Sequence, residues 1–305
     1  MSEKIYDVIV AGAGPAGLGA TLYARRAMLD TLLIEKEFDG GQILSTDSVD
    51  NYLGLPGING YEMGMKFSEH VASFEPDKVT GTIEDIKKEG DLFKVSTSQG
   101  EYQSKTLVYA MGAKHRLLGI PGEQEYGGRG VSYCATCDGA FYRGKDTIVV
   151  GGGDVALEDA LYLSKLCNKV YLMHRRDQFR AAKVIQDKVL ANDKITVIWN
   201  ARPEEILGNE DRKVKGLSYV DTVSGEKGEV TVDGVFIAVG MLPQSELVTN
   251  LVDCDHGYIC GDETCKTSLP GFYAVGDVRT KQLRQVITAV ADGANAITSI
   301  EEYLH

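Results

Sequence analysis

The chain has 305 residues, of which 43% are hydrophobic and 25% are charged, and its formal net charge is −12. This length suits about two domains of the usual ~150 residues, and the negative charge disfavours nonspecific binding to nucleic acid or anionic lipid. No segment approaches the roughly 18 uninterrupted apolar residues of a membrane span, and the amino terminus lacks the sections of a secretory signal. The sequence therefore predicts a soluble, cytoplasmic protein with no nucleic-acid or membrane partner.

The first predicted elements form a strand, a glycine turn and a helix. An apolar strand over 5–11 leads into Gly12, Gly14 and Gly17, and a second strand ends at Glu35, 23 residues after the first glycine. In a nucleotide-binding βαβ unit such glycines permit a tight turn, close approach of a pyrophosphate and close helix packing, while the acid accepts from a ribose hydroxyl. The pattern predicts a dinucleotide site at the helix amino terminus, where free N–H groups favour phosphate.

A pair of cysteines follows in the sequence Cys134-Ala-Thr-Cys137-Asp138. Two thiols at this spacing can close a disulfide ring and can lower each other's pKa enough to give a reactive thiolate. The neighbouring Asp138 could then handle the proton. The alternatives are half of a zinc site or two inert buried cysteines. The remaining cysteines match no common zinc spacing, so we predict no metal site.

The strand, glycine turn and helix then recur from Asp146. The first glycine of this second turn is Gly151, and a step of 23 residues from it reaches His174, where the first pattern has its glutamate. Arginines follow, and guanidinium groups can bind a ribose 2′-phosphate that a carboxylate would repel. This favours NADPH over NADH, with a solvated basic turn as the alternative. The predicted site comprises Gly151, Gly153, Asp154, His174, Arg175, Arg176 and Arg180.

The last predicted elements are a buried strand over 272–276 and a long helix from about Val286 to Tyr303. Asp277, after the strand, is placed to accept from hydroxyls on the linking chain of a cofactor, and the helix dipole could steady negative charge on a reduced flavin. We expect this segment to pack onto the first pattern, so that the second pattern is an insertion. The turn-rich joints at 112–122 and 240–243 suit either a hinge or a rigid turn.

With these segments in view, the chain resembles the low-molecular-weight thioredoxin reductases of the prokaryotic type over essentially its whole length. The motifs that carry the resemblance are Gly12-Ala-Gly-Pro-Ala-Gly17, Gly40-Gly-Gln42, Gly119-Ile-Pro-Gly-Glu123, Cys134-Ala-Thr-Cys-Asp138, Gly151-Gly-Gly-Asp154, His174-Arg-Arg-Asp-Gln-Phe-Arg180, Gly276-Asp277 and Arg284-Gln285. We therefore expect an α/β fold with two Rossmann-like dinucleotide-binding domains, the NADPH domain inserted into the FAD domain. The expected ranges are 1–114 and 243–305 for the FAD domain and 115–242 for the NADPH domain.

The resemblance implies a thioredoxin reductase reaction. A hydride would pass from NADPH to FAD, two electrons would pass to the Cys134–Cys137 disulfide, and the dithiol would reduce oxidised thioredoxin or a thioredoxin-like protein. Cys137 would be the thiol nearer the flavin, Asp138 would be the acid–base, and the protein would be a homodimer. The implied FAD site comprises Gly12, Gly14, Pro15, Gly17, Glu35, Gly41, Gln42, Asn51, Asp277, Arg284, Gln285 and Val286.

Both the nicotinamide and Cys137 must approach the flavin ring, and both belong to the inserted domain. We therefore expect them to take turns, with this domain rotating on the two joints between half-reactions.

The chain also departs from the pattern of the family at Met111 and Ala140 and, without a change of charge, at Val155 and Leu157. Met111 stands where threonine is common, and Ala140 removes one of two aromatic residues that some relatives present to thioredoxin, which leaves Phe141. The missing aromatic residue bears on the affinity for the partner and not on the reaction. The alternatives are a related flavin disulfide reductase that serves another thioredoxin-like or peroxidase partner, and a non-enzymatic flavin redox sensor.

Overall fold

A computed structural model describes residues 4–46 and 48–305. These residues form two compact units. The outer unit consists of the described residues up to Lys114 together with Leu242–His305, and the inserted unit is His115–Met241. The inserted unit therefore interrupts the outer unit in sequence.

The chain contains nineteen short or medium strands and six α-helices in the described ranges. The strands are β1 (Ile5–Ala11), β2 (Thr31–Glu35), β3 (Asp77–Thr80), β4 (Ile83–Glu89), β5 (Leu92–Thr97), β6 (Gly100–Tyr109), β7 (Ala113–His115), β8 (Val131–Ser132), β9 (Asp146–Gly151), β10 (Lys169–Met173), β11 (Ile195–Ile198), β12 (Ala201–Gly208), β13 (Val214–Asp221), β14 (Lys227–Thr231), β15 (Gly234–Ala238), β16 (Met241–Pro243), β17 (Cys254–Asp255), β18 (Tyr258–Ile259) and β19 (Phe272–Ala274). The α-helices are α1 (Pro15–Arg26), α2 (Gly60–Ala72), α3 (Ala135–Asp138), α4 (Asp154–Ser164), α5 (Lys183–Leu190) and α6 (Val286–Leu304).

The main sheet of the outer unit has the strand order β3-β2-β1-β6-β5-β4, with β19 also paired to β6. Strands β1, β2, β3, β6 and β19 pair in parallel, whereas β4 and β5 pair antiparallel. The central strand β1 is apolar because a parallel strand is covered on both faces, and its Val8, Ile9 and Val10 are fully buried. The pairing of β19 with β6 attaches the C-terminal segment to the N-terminal sheet.

Helices α1 and α6 cross on one face of this sheet, and small residues allow the close approach. A Cβ atom added to Gly293 of α6 would lie 2.5 Å from the backbone nitrogen of Ala20 and 2.5 Å from the carbonyl oxygen of Ala16. Only glycine fits at that crossing. Leu18 of α1 and Ile300 of α6 belong to the same hydrophobic cluster, so the final helix completes the core of the outer unit.

The inserted unit has a five-stranded parallel sheet in the order β11-β10-β9-β15-β8 and a three-stranded antiparallel sheet, β12-β13-β14. One hydrophobic cluster forms around Phe236 and Leu163, and another around Ile148 and Leu217. All members of these two clusters lie within the inserted unit. The predicted α/β fold with Rossmann-like parallel sheets is confirmed.

The two segments that connect the units pair with each other as a two-stranded sheet, β7 and β16. The N–H of Arg116 donates to the carbonyl of Gly240 at 2.9 Å, and the N–H of Gln244 donates to the carbonyl of Gly112 at 2.9 Å. Both glycines have positive φ, 68° at Gly112 and 108° at Gly240. Each of these two connecting segments, here called crossings, therefore contains a glycine in a backbone conformation that residues with a side chain rarely adopt.

Over the described ranges, none of the helices combines the length and the apolar character that a membrane crossing requires.

Candidate active site

The glycine turn of the outer unit is shaped by close backbone approaches. Gly12 has a φ of 103°, and a Cβ atom there would lie 2.7 Å from the carbonyl oxygen of Ala110. A Cβ atom on Gly17 would collide with the carbonyl oxygen of Gly12. At Gly14, by contrast, the nearest atom to an added Cβ is the Cα of Gly41 at 4.0 Å. The turn is therefore tight where it packs and open where a phosphate would approach.

Helix α1 begins next to that open position. Pro15 occupies its first turn, and Gly14 precedes it without a side-chain cap, so N–H groups at this end are unpaired by any capping side chain. The N–H of Gly40 donates to the carbonyl of Ala13 at 2.8 Å, which brings the predicted Gly41 segment beside the turn. This is the backbone arrangement that binds a pyrophosphate.

Glu35 ends β2 beside the same turn. Its Oε2 accepts from the N–H of Ala13 at 2.7 Å, and its Oε1 accepts from the N–H of Lys36 at 2.7 Å. The carboxylate is thereby fixed at the strand end, next to the position where the ribose of a dinucleotide lies in this fold. Gln42 donates through Nε2 to the carbonyl of Ala113.

The structure brings remote predicted residues together at the start of α6. Asn51 donates through Nδ2 to Oε1 of Gln285 at 2.8 Å. Gln285 is the N-cap of α6, and Val286 is its first residue. The Arg284 guanidinium lies over the ring of Tyr258, with 4.2 Å between its Cζ and the ring centroid. Four predicted FAD residues, Asn51, Arg284, Gln285 and Val286, thus lie at one helix amino terminus.

Asp277 follows β19 in the turn before α6. Burial raises the pKa of its carboxyl, while the positive charges of Lys281 and Arg284 oppose that rise. Within the described ranges, no side-chain or backbone donor is hydrogen-bonded to this carboxylate. A half-buried carboxylate without a donor fits a ligand that carries hydroxyl groups. Together with the open turn at Gly14, the outer unit fits a flavin dinucleotide.

A buried acid that the sequence did not indicate holds the Asp277 turn in place. Asp292 of α6 is 4% exposed and accepts from the N–H of Gly276 at 2.9 Å. Its two oxygens also accept from Nε and Nη2 of Arg279 at 2.9 Å each, and from Nζ of Lys281 at 2.8 Å. The available signal was an acid on the apolar face of a predicted helix, where a charge must be paired.

The glycine turn of the inserted unit repeats the geometry of the first. A Cβ atom on Gly151 would collide with the carbonyl oxygen of Ala238, whereas Gly153 has no atom within 4 Å of an added Cβ. Helix α4 begins at Asp154, and the Oδ1 of Asp154 accepts from the N–H of Ala182 at 2.7 Å. That bond ties the segment after β10 to the helix start.

The basic segment after β10 lies next to this turn. The His174 ring is buried, contacts the position of Gly152 and hydrogen-bonds through Nε2 with the carbonyl of Gln178 at 3.0 Å. Burial lowers the pKa of His174, so the imidazole supports the loop as a neutral group. The backbone N–H of Arg180 donates to the carbonyl of Gly152 at 2.8 Å. The basic side chains exposed at this edge are Arg175, Arg176 and Arg180, and Asp177 and Gln178 between them are exposed as well.

The three guanidinium groups form no ion pair with any carboxylate in the described part of the chain. Unpaired guanidinium groups beside an open glycine turn fit a nucleotide with a 2′-phosphate.

Cys134 and Cys137 form a disulfide, with 5.3 Å between their Cα atoms. Cys134 is the N-cap of the one-turn helix α3, and its Sγ accepts from the N–H of Cys137 at 3.2 Å. The helix begins at the cysteine because the turn between the two thiols is the first turn of α3. Both cysteines are partly exposed, as a disulfide that exchanges with a second protein must be.

Asp138, at the end of α3, is hydrogen-bonded to a serine that the sequence did not indicate. The Oγ of Ser132 donates to Oδ2 of Asp138 at 2.6 Å, and it accepts from the N–H of Cys134 at 3.1 Å. Tyr133 next to it donates to Oε1 of Glu123 at 2.9 Å. The segment before the disulfide is thus fixed by side-chain hydrogen bonds on both sides.

The departures from the family pattern at Met111 and Ala140 have simple surroundings. Met111 is partly buried and packs against the cluster around Phe93 and Tyr109. Ala140 is exposed, and Phe141 beside it is 45% exposed. No group of three or more metal-ligating side chains occurs in residues 4–46 and 48–305.

Comparisons with known proteins agree with this geometry. Residues 6–293 match the family described as pyridine nucleotide-disulphide oxidoreductase. A thioredoxin reductase of Bacillus subtilis is 44% identical over 99% of this chain and 96% of that protein, and one of Listeria monocytogenes is 45% identical over 99% and 95%. The crystal structure of thioredoxin reductase from Streptococcus pyogenes is 45% identical, with a TM-score of 0.94 over 99% of each chain. The chain therefore belongs to the pyridine nucleotide-disulphide oxidoreductases, in the group of low-molecular-weight thioredoxin reductases.

Proposed function

We propose that this protein is an NADPH-dependent thioredoxin reductase that binds FAD in the outer unit and NADPH in the inserted unit. Membership of the family implies a flavin and a pyridine nucleotide. The observation that carries the proposal is the closed Cys134–Cys137 disulfide in the same unit as the second glycine turn. A disulfide that travels with one nucleotide site, in a chain with a second such site, suits electron transfer to a protein disulfide.

In the outer unit, the amino terminus of α1 would hold the pyrophosphate of FAD, and Glu35 would accept from the adenosine ribose. Asp277 would accept from hydroxyls of the linking chain, because its carboxylate has no donor within the described residues. The amino terminus of α6, capped by Gln285, would direct its positive dipole end at the flavin ring. When bound, the flavin supplies two-electron acceptance from the nicotinamide and two-electron donation to the disulfide.

In the inserted unit, the arginines would select NADPH over NADH. Arg175, Arg176 and Arg180 are exposed and unpaired beside the turn at Gly153, so a 2′-phosphate would gain charge-assisted hydrogen bonds without breaking existing ion pairs. His174 would stabilise the loop that carries these arginines through its hydrogen bond with the carbonyl of Gln178.

Cys134 and Cys137 would accept an electron pair, and Asp138 would supply a proton to a departing thiolate. The resulting dithiol would then reduce thioredoxin by thiol–disulfide exchange. The predicted flavin residues and the dithiol belong to different units, while the NADPH residues and the dithiol belong to the same one. We therefore propose that the nicotinamide and the disulfide approach the flavin in turn, through rotation of the inserted unit on the β7 and β16 crossings.

An anaerobic titration tests the reaction. One equivalent of NADPH should donate two electrons to the purified protein, which either bleach the flavin absorbance or pass on to the disulfide. Oxidised thioredoxin should then restore the oxidised spectrum. In a Cys134→Ser, Cys137→Ser variant the flavin should still bleach, but thioredoxin should no longer restore it. NADH in place of NADPH should react at least tenfold less efficiently, since it lacks the group that the arginines would bind.

A colourless preparation, or flavin that NADPH reduces but that no disulfide protein reoxidises, would contradict the proposed function. Equal efficiency with NADH would contradict only the role of the arginines. Reoxidation by a peroxidase partner but not by thioredoxin would assign the chain to the related disulfide reductases instead.

A further inference from the structure

The side chain of Ser132 is hydrogen-bonded to two residues of the segment 134–138, which contains the disulfide. Its Oγ lies 2.6 Å from Oδ2 of Asp138, 3.1 Å from the backbone nitrogen of Cys134 and 3.3 Å from the carbonyl oxygen of Cys134. Ser132 ends the short strand β8, whose pairing with β15 fixes its backbone, and it is 4% exposed. The hydroxyl is therefore held at the junction of the acid and the first cysteine.

A serine hydroxyl has one proton to donate and two lone pairs. The N–H of Cys134 can only donate, so it occupies one lone pair of Ser132. The hydroxyl proton then has two acceptors in reach, Asp138 at 2.6 Å and the Cys134 carbonyl at 3.3 Å. When Asp138 is ionised, the hydroxyl donates to it. When Oδ2 of Asp138 carries a proton, the carboxyl can donate to Ser132 while the hydroxyl turns to the Cys134 carbonyl.

We infer that Ser132 is a positioning residue for Asp138, which keeps that side chain hydrogen-bonded in both of its protonation states. The inference rests on the proposed function, because it matters only if Asp138 exchanges a proton with the cysteines. Two electrons break the S–S bond and leave two thiolates, and the carboxyl of Asp138 gives its proton to one of them. The thiolate becomes a thiol, Asp138 becomes a carboxylate, and Ser132 then donates to that carboxylate.

The position of the serine explains why it can act on the acid without touching a sulfur atom. Its bond with the N–H of Cys134 links it to the first residue of the CxxC turn, and its bond with Asp138 links it to the last residue of α3. The hydroxyl thus connects both ends of the segment 134–138. Loss of the hydroxyl would remove the link that sets the position of Oδ2 of Asp138 relative to the first residue of the CxxC turn.

Stopped-flow measurement of the two half-reactions tests this role in four variants of the full-length flavoprotein: Ser132→Ala, Asp138→Asn, the double variant and Ser164→Ala. Ser164 is the matched control. It is 5% exposed and in the same unit, and its hydroxyl donates to the carbonyl of Leu161 at 2.8 Å. Reduction of the flavin by NADPH should stay within about twofold of wild type in all four variants.

Electron transfer from reduced flavin to the disulfide should separate the variants. Ser132→Ala should slow it about tenfold, as the loss of one charge-assisted hydrogen bond would, and Asp138→Asn should slow it by roughly a hundredfold or more. The double variant should match Asp138→Asn within about twofold, because a residue that acts through Asp138 has no effect once Asp138 is replaced. Ser164→Ala should match wild type.

Two results would overturn the inference. In one, Ser132→Ala transfers electrons to the disulfide within twofold of the wild-type rate. In the other, the two single effects multiply in the double variant, which would mean that the serine acts independently of the acid. Failure of the wild-type protein to transfer electrons from NADPH to its disulfide would instead overturn the proposed function itself.

Discussion

Among individual residues, Asp292 has the largest expected effect on stability. Asp292 is a residue of α6, and its carboxylate accepts hydrogen bonds from three groups outside that helix. These are the side chains of Arg279 and Lys281 and the N–H of Gly276. Burial by itself raises the pKa of Asp292, but the hydrogen bonds and charges of the two cations outweigh it and hold the pKa below its usual value. Removal of this carboxylate leaves two buried positive charges without a counter-charge.

We predict that Asp292→Asn lowers the free energy of unfolding of the outer unit by about 3–5 kcal/mol at pH 7. The matched control is Asp187→Asn on α5, whose carboxylate is 61% exposed and pairs with Lys183 at 3.0 Å. A surface pair of this kind contributes about 0–1 kcal/mol. The stability of Asp292→Asn would be measured by urea titration with flavin release as the signal. The stability of Asp187→Asn would be measured by urea titration with ellipticity as the signal. Equal small losses in both variants would show that the buried cluster does not stabilise the fold.

The pH dependence of this effect has a defined sign. A carboxyl whose pKa is lower in the folded protein contributes stability above its unfolded pKa, and that contribution is lost as the pH falls through the folded value. The gap in stability between wild type and Asp292→Asn should therefore narrow below about pH 4, the usual range of an aspartate. A constant gap across that range would contradict the low pKa.

The sequence indicated residues whose positions are set by local backbone geometry. It missed residues whose role depends on hydrogen-bond partners that only the fold brings close. Glycines such as Gly12 and Gly153 occur at fixed spacings, because backbone geometry sets their positions. Ser132 and Asp292 depend on partners that only the folded chain brings within 3 Å. His174 has the right spacing, but the side chain is buried beneath Gly152. Spacing locates a loop, whereas it does not tell which way each side chain of that loop points.

The secondary structure of the two nucleotide-binding units agrees closely with the prediction from the sequence. The predicted strand over 5–11 is β1, and the predicted helix from about Val286 to Tyr303 is α6, which ends at Leu304. The antiparallel sheet β12-β13-β14 had no such prediction, because its strands carry no motif and its pairing includes irregular register. The two nucleotide-binding units share a repeated pattern of strand, glycine turn and helix, whereas the antiparallel sheet has no such pattern.

The two crossings between the units each contain a glycine with positive φ. Gly240 has a φ of 108° and no atom within 4 Å of an added Cβ. An alanine there would collide with no neighbour, and its only cost would be the strain of its own backbone. We predict that Gly240→Ala lowers kcat several-fold while FAD content and NADPH affinity stay within about twofold of wild type, because residues at a hinge absorb the backbone change of a rotation.

Gly225 offers the control for this prediction. It lies between β13 and β14 with a φ of 76° and also has no atom within 4 Å of an added Cβ. Gly225→Ala therefore also introduces backbone strain, about 1 kcal/mol or more, away from the crossings. Steady-state kinetics of both variants would decide the question. If the two variants lose the same fraction of kcat, strain alone explains the effect and the crossing has no special role.

Each of the two units has its own hydrophobic core. The clusters around Phe236 and around Ile148 belong to the inserted unit, and those that contain Val10 and Phe93 belong to the outer unit. A unit with its own sheet and core can fold by itself. We predict that residues 115–241, expressed alone, unfold cooperatively in urea and bind NADPH more tightly than NADH, as calorimetry would show.

The outer unit should fold equally well once its two parts are rejoined. The hydrogen bond from Gln244 to the Gly112 carbonyl holds the two chain ends side by side, so a loop of about two to four residues can join Lys114 to Leu242. The shortened protein should bind FAD but react with neither NADPH nor thioredoxin. Residues 1–114 alone should not fold, because they lack β19 and α6, which complete the sheet and the helix layer. A fragment 115–241 without a cooperative transition would show that the inserted unit depends on the outer one for its stability.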